Sequence, residues 1–258
     1  MKNKFLLFGL SIFFCSFALN AEDKKFDSIK SLDIKNISGD VEIMPYAGSE
    51  LIISADDLKP FSFHQSGGDL RISQALPKPT ESTYNGGGVS IITSGSGNVS
   101  NVTIGGENFS SHIETPAKVV IKIPANKIPI HIKNASGNWQ IGELNSSLSI
   151  SLNNADVNID KVSDLDVSIT GSGSVILDKK TDRATIKIMG TGDFKANSDV
   201  GYLDALIHGT GNIDVNGVVN YAKIDLTGVG DIKINRLLHK PDAITHGIGN
   251  IEITNKDY

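Results

Sequence analysis

The sequence predicts an all-β fold, a single-stranded parallel β-helix (solenoid) wound in coils of 18 to 19 residues. Three observations predict it. A Gly-x-Gly motif recurs at a constant step, apolar residues alternate at period two after each motif, and polar residues line up in columns when the chain is wound at that step.

The motif places its second glycine at Gly173, Gly192, Gly211, Gly230 and Gly249, each 19 residues after the last. Steps of 18 extend the frame back to Ala155 and Gly137, giving seven consecutive units. Two and four places after that position stand Trp139 and Ile141, Val157 and Ile159, Val175 and Leu177, Phe194 and Ala196, Ile213 and Val215, Ile232 and Ile234, and Ile251 and Ile253. This alternation marks a strand with one buried face. A second alternation lies upstream of each motif, as at Val167 and Ile169 or Ile224 and Leu226. Two strands and two turns make one coil, and coils stacked ~4.8 Å apart join their apolar columns into one core. The glycines serve as corners, where positive φ or a sharp turn is costly for a residue with a Cβ.

The residue after each corner glycine is polar, giving the column Asn138, Asp156, Ser174, Asp193, Asn212, Asp231 and Asn250. No two acids are adjacent in it, which avoids like charges ~5 Å apart. Two places on, Lys195, Asp214, Lys233 and Glu252 alternate in sign, and weak cross-coil ion pairs are expected there. A barrel or sandwich has no reason to repeat one corner chemistry at a fixed step.

The elements before the regular coils read as follows. Residues 1–21 form an export signal, with Lys2 and Lys4 before the apolar run Phe5–Leu19 and small residues Ser16, Ala18 and Ala21 at its end. That run is short for a transmembrane span. The sole cysteine, Cys15, follows Phe13 and Phe14, a poor lipobox, so the mature chain carries no thiol for disulfide or metal. Removing two lysines with the signal takes the formal charge from −5 to −7, which argues against nucleic acid and anionic membrane as main partners. The expected compartment is the periplasm, the outer surface or the medium. Residues 22–76 are irregular β-coils: Ser38-Gly39-Asp40 and Gly67-Gly68-Asp69 repeat the corner, with strands near Ile29–Ile34 and Leu51–Ser54. Residues 77–115, rich in Pro, Gly, Ser, Thr and Asn, read as a flexible insertion in which Val89–Ile92 and Val102–Ile104 form a small hairpin. Residues 116–258 carry the regular coils, entered by a strand at Val119–Ile123.

These tandem Ser/Gly-Gly-Asp/Asn-apolar-x-apolar units, entered through the segment from Val119 to Pro124, resemble the adhesin families of bacterial surface proteins, of the head GIN domain type. The resemblance runs from about Asp33 to Thr254. It implies a right-handed β-helical, exported or surface-associated protein, and it carries over no catalytic or binding residue.

Calcium-binding nonapeptide repeats put an aspartate two places after the last glycine, where this chain has Val175, Phe194, Ile213, Ile232 and Ile251. The Gly-x-Gly pairs lack the third glycine and the helix of a nucleotide loop. His208 and His246 share a coil position but stand two coils, ~10 Å, apart, too far for one zinc ion. No metal, cofactor or catalytic set is expected. Gly137, Asn138, Gly173, Gly192, Asp193, Gly211, Asn212, Gly230, Asp231, Gly249 and Asn250 are therefore structural corner residues. The expected function is non-catalytic, adhesin-like binding or scaffolding toward a surface glycan or protein; the alternative is a carbohydrate-active lyase or hydrolase, whose fold this is. The chain ends five residues after Ile253 without an evident cap, so self-association through that end is also expected.

Overall fold

The computed structural model describes residues 21–75, 102–104, 107–109, 117–125 and 127–258. Its main element is one 17-stranded sheet wound into a parallel solenoid, as the period requires. Strands Ile130–Glu143, Ser147–Lys161 and Asp164–Leu177 each run through a corner and pair in parallel with the next. From there the step is 19 residues: Val175 pairs with Phe194, Phe194 with Ile213, Ile213 with Ile232, and Ile232 with Ile251.

Stacking in register puts like on like. The inward columns Val175–Phe194–Ile213–Ile232 and Val167–Ile186–Ala205–Ile224 are at most 1% exposed, so each coil caps the apolar face of the one below. Trp139 is completely buried, and its indole N–H donates to the Ser136 carbonyl at 3.1 Å. A third inward column appears, Thr181–Val200–Val219–Leu237. The coil therefore has a third, short side. One buried residue per coil cannot generate an alternation, so period-two reasoning could not find it.

The N-terminal region departs from a sequential stack. Strands Ser31–Lys35 and Ser38–Tyr46 form a coil that pairs in parallel with Ile130–Glu143, 98 residues later in register. On its other side lie Asp69–Gln74 against Ser31–Lys35 and Ala117–Pro124 against Ser38–Tyr46. The coil that comes first in the chain is thus an inner layer. Antiparallel strands close the outer end: Phe61–Ser66 on Asp69–Gln74, Leu51–Ala55 on Ala117–Pro124, and Glu22–Phe26 on Leu51–Ala55. Phe26 and Phe61 are buried there, and the Lys24 ammonium sits 4.4 Å from the Phe63 ring.

Two sequence expectations are corrected here. Gly39 is a coil corner in register with Gly137, but Gly67-Gly68 is the turn of a hairpin that pairs Ser66 with Asp69. Their φ values of 59° and 105° give the two consecutive positive values that a tight hairpin needs. Asp69–Leu70 consequently aligns with Ser31–Leu32, upstream of the corner. Within 77–115, Val102–Ile104 pairs with Glu107–Phe109 in an antiparallel hairpin. Val89–Ile92 and most of that insertion lie outside the described residues, as do residues 1–20 of the 1–21 leader.

The last coil changes its inward chemistry. Ala243 stacks over Ile224, Thr245 over Leu226 and Lys256 over Leu237, and Asp242–Thr245 is exposed throughout. The four-residue strand Asp242–Thr245 and a lysine in an inward column are features that blunt a sheet edge against further pairing. Among the described residues no helix is long and apolar enough to cross a membrane.

Candidate binding faces and corner ladders

At the corners, glycine is required by the closeness of the coil below. A Cβ on Gly230 would lie 1.7 Å from the Gly211 carbonyl oxygen, and one on Gly173 1.9 Å from that of Ala155. Gly137, Gly173, Gly211, Gly230 and Gly249 all have positive φ, from 89° to 155°. Gly192 does not, and is held to glycine by space alone, a Cβ there meeting the Gly173 oxygen at 2.1 Å.

The polar column beside them is a hydrogen-bond ladder. The Asp193 carboxylate accepts both the Asn212 backbone N–H at 2.8 Å and its side-chain amide at 2.9 Å. Asn212 Oδ1 accepts the Asp231 N–H, and Asp231 accepts the Asn250 N–H, each at 3.0 Å. Asp156 likewise takes the Ser174 N–H and hydroxyl, and at the N-terminal end Asn138 donates to Asp40 at 2.9 Å. The oxygens of Asp156, Asp193, Asn212 and Asp231 thereby each satisfy a backbone donor at the irregular corner. Asp156, Asp193 and Asp231 are occupied in holding coils together.

A second ladder went unread in the sequence. Asn197 donates to Asp178 at 2.8 Å, Asn216 to Asn197 at 3.3 Å, and Asn235 to the Asn216 carbonyl at 2.9 Å. The signal was present: each follows an apolar-x-apolar triplet by one residue at the 19-residue step.

The alternating column Lys195, Asp214, Lys233 and Glu252 is in register, but its ion pairs do not form within 4 Å. At exposed positions the Coulomb gain does not cover the side-chain ordering such contacts need. A real network sits elsewhere: Lys179 bridges two coils to Glu143 and lies 3.9 Å from Asp160. The hydrogen bond to Lys179 lowers the pKa of Glu143, and the reciprocal bond raises that of Lys179.

His208 and His246 are both exposed, and no group of three or more metal-ligating side chains occurs among the described residues. Aromatic residues gather on one outer column, where Arg183 lies 4.6 Å from the Tyr202 ring, Tyr202 is in register with Tyr221, and His239 stacks on Tyr221 at 4.1 Å. His239 thereby covers one face of the Tyr221 ring.

Comparisons with known proteins agree with this geometry. The crystal structure of a "putative adhesin" from Parabacteroides distasonis is similar in fold, with a TM-score of 0.50 at 16% identity, covering 90% of this chain and 96% of that one. A second, from Bacteroides fragilis, gives 0.45 at 16% identity over 90% and 95%. A third, from Parabacteroides merdae, gives 0.45 at 16% over 90% and 96%. No curated protein matches by sequence. The model of the family described as "putative auto-transporter adhesin, head GIN domain" matches residues 118–257, more than half of the chain, and takes in the regular coils whose corners are described above. The chain belongs to that family.

Proposed function

We propose that the chain is an exported, non-catalytic surface or periplasmic protein that binds a surface glycan or protein through its outer coil faces, as the adhesin naming of its family suggests. The observation that carries the reading is the use made of the acids. A glycosidase or lyase needs carboxylates converging on one substrate bond. Here Asp156, Asp193 and Asp231 point along the stack and accept backbone N–H groups of the next coil. What the faces offer instead is rows of exposed amides, hydroxyls and single charges at a fixed rise, which suits recognition of a repeating partner. Export rests on the 1–21 leader, and the 77–115 insertion is a candidate contact arm.

The test is an array of surface glycans and envelope proteins probed with the chain from residue 22 and with a variant lacking 77–115. Specific capture by both places binding on the coils, and loss in the variant places it in the insertion. Turnover of an arrayed polysaccharide would refute the reading.

A further inference from the structure

Fully charged side chains that meet in register on neighbouring strands carry opposite signs almost throughout: Asp33 with Arg71, Asp40 with Lys118, Glu143 with Lys161, Asp164 with Arg183, Asp204 with Lys223, and Lys233 with Glu252. One pair among the described residues breaks the rule. Lys35 and Lys133 stand directly opposite on adjacent parallel strands, outward, ~4.8 Å apart along the stack. Like charges so placed repel, and among the described residues neither ammonium has a hydrogen bond or an ion pair within 4 Å. Asp33, two residues before Lys35 on the same strand, is 3.8 Å from Arg71.

The backbone beside the pair is also exceptional. Only three described non-glycine residues have positive φ, and two of them are Asn36 at 55° and Asn134 at 56°, each immediately after one of the lysines. The two stack, Asn134 donating to Asn36 at 2.8 Å. Between Ile132 and Ala135 the register with the next strand slips, a bulge of the kind that re-aims side chains. Strained backbone and unpaired like charges are thus concentrated at one spot on two coils that are 98 residues apart in register. Such departures from local consistency cluster at functional sites.

From this juxtaposition we infer that Lys35 and Lys133 form an anion subsite for a carboxylate- or sulfate-bearing glycan. The inference rests on the binding role proposed above and names the ligand class. An anion between the ammonium groups removes their repulsion and adds charge-assisted hydrogen bonds. The surroundings suit a sugar: Ser73 is in register with Lys35, exposed His131 lies two residues before Lys133, and the asparagine amides are adjacent. A lipid surface fits less well, because among the described residues none of the large exposed apolar side chains, Met189, Tyr221, Val229, Ile244, Ile248 and Tyr258, belongs to these two coils. Two lysines on a chain of net charge −5 do not suit a nucleic acid.

The experiment measures binding of the chain from residue 22 to polygalacturonate, dextran sulfate and neutral dextran, alongside Lys35→Ser, Lys133→Ser, the double variant, and Lys187→Ser as an exposed-lysine control. At least one acidic polymer binds, neutral dextran does not, each single variant binds about tenfold more weakly, and Lys187→Ser behaves as the parent. In thermal unfolding without polymer, Lys133→Ser melts no lower than the parent, since its removal relieves repulsion. Unchanged acidic-polymer binding by the double variant, or equal binding of neutral dextran, overturns the subsite while leaving a glycan-binding protein. Capture of envelope proteins alone overturns the ligand class but not the binding role. Binding of nothing overturns both.

Discussion

Gly230→Ala tests the corner geometry most directly. The added methyl would sit 1.7 Å from the Gly211 carbonyl oxygen, and an ordinary contact begins at 3.4 Å, so the two coils must part locally by nearly 2 Å. The backbone at φ 147° is in addition one that residues with a Cβ rarely adopt. Overpacking of this kind costs about 1 to 3 kcal/mol, and the strained backbone adds about 1 to 3 kcal/mol more. Even the lower bound of ~2 kcal/mol lowers the melting temperature by roughly 5 °C for a chain of this size. The assay is thermal unfolding by far-ultraviolet circular dichroism, with Val229→Ala beside it as a neighbouring exposed control. Hydrogen exchange should show lost protection in the coils that carry Gly211, Gly230 and Gly249 before the rest, because stability in a solenoid is a sum of nearest-neighbour terms. A Gly230→Ala melting temperature within about 2 °C of the Val229→Ala value would refute the reasoning.

Ile213→Asp buries a carboxylate between Phe194 and Ile232 and should unfold its coils, whereas Asp214→Ala on the outer face should move the melting temperature by less than about 2 °C; equal melting of the two would contradict the assigned faces. Asp231→Ala leaves the Asn250 N–H without its acceptor and should cost about 1 kcal/mol in chemical denaturation, a loss that Asp231→Asn largely restores. Because the folded-state pKa of Glu143 is lowered, its pair with Lys179 stabilises the protein above the ordinary value of 4.5 and is lost as pH falls through the depressed folded value. Glu143→Gln should therefore match the parent in acid and be slightly less stable at pH 7, as read from paired denaturant titrations. Lys256→Ile restores an apolar inward column on the last coil, and sedimentation velocity should then show concentration-dependent association beyond that of the parent.

The regular coils were legible because every inward or outward position is repeated at a fixed step. Phe194 is placed by Val175 before it and Ile213 after it, so one ambiguous residue does not break the frame. Where a motif occurs without that repetition the frame fails. Gly67-Gly68-Asp69 has the letters of a corner, but two consecutive positive φ values make it a hairpin turn. The third side of the coil contributes one buried residue, such as Val200 or Val219, too few to show a period. The ladder of Asn197, Asn216 and Asn235 had a period and was missed because the apolar triplets before it drew the reading. The Lys35–Lys133 pair has no local signature at all: it exists only because two segments far apart in sequence become neighbouring strands.

That same inversion of order sets how the molecule can be made. The layer from Ser31 to Tyr46 precedes the strand that covers one of its edges, Ile130–Glu143, by 98 residues in register. Until that strand is placed, an edge rich in Leu32, Ile34, Val41 and Ile43 has no native partner on that side. Coils from 147 onward face no such delay, since each can be laid on the one finished just before it. The pairing order is therefore sequential over most of the sheet, and the one closure across 98 residues is the step that loop-closure entropy is expected to slow most. That closure is where a cell's holding factors would have their work.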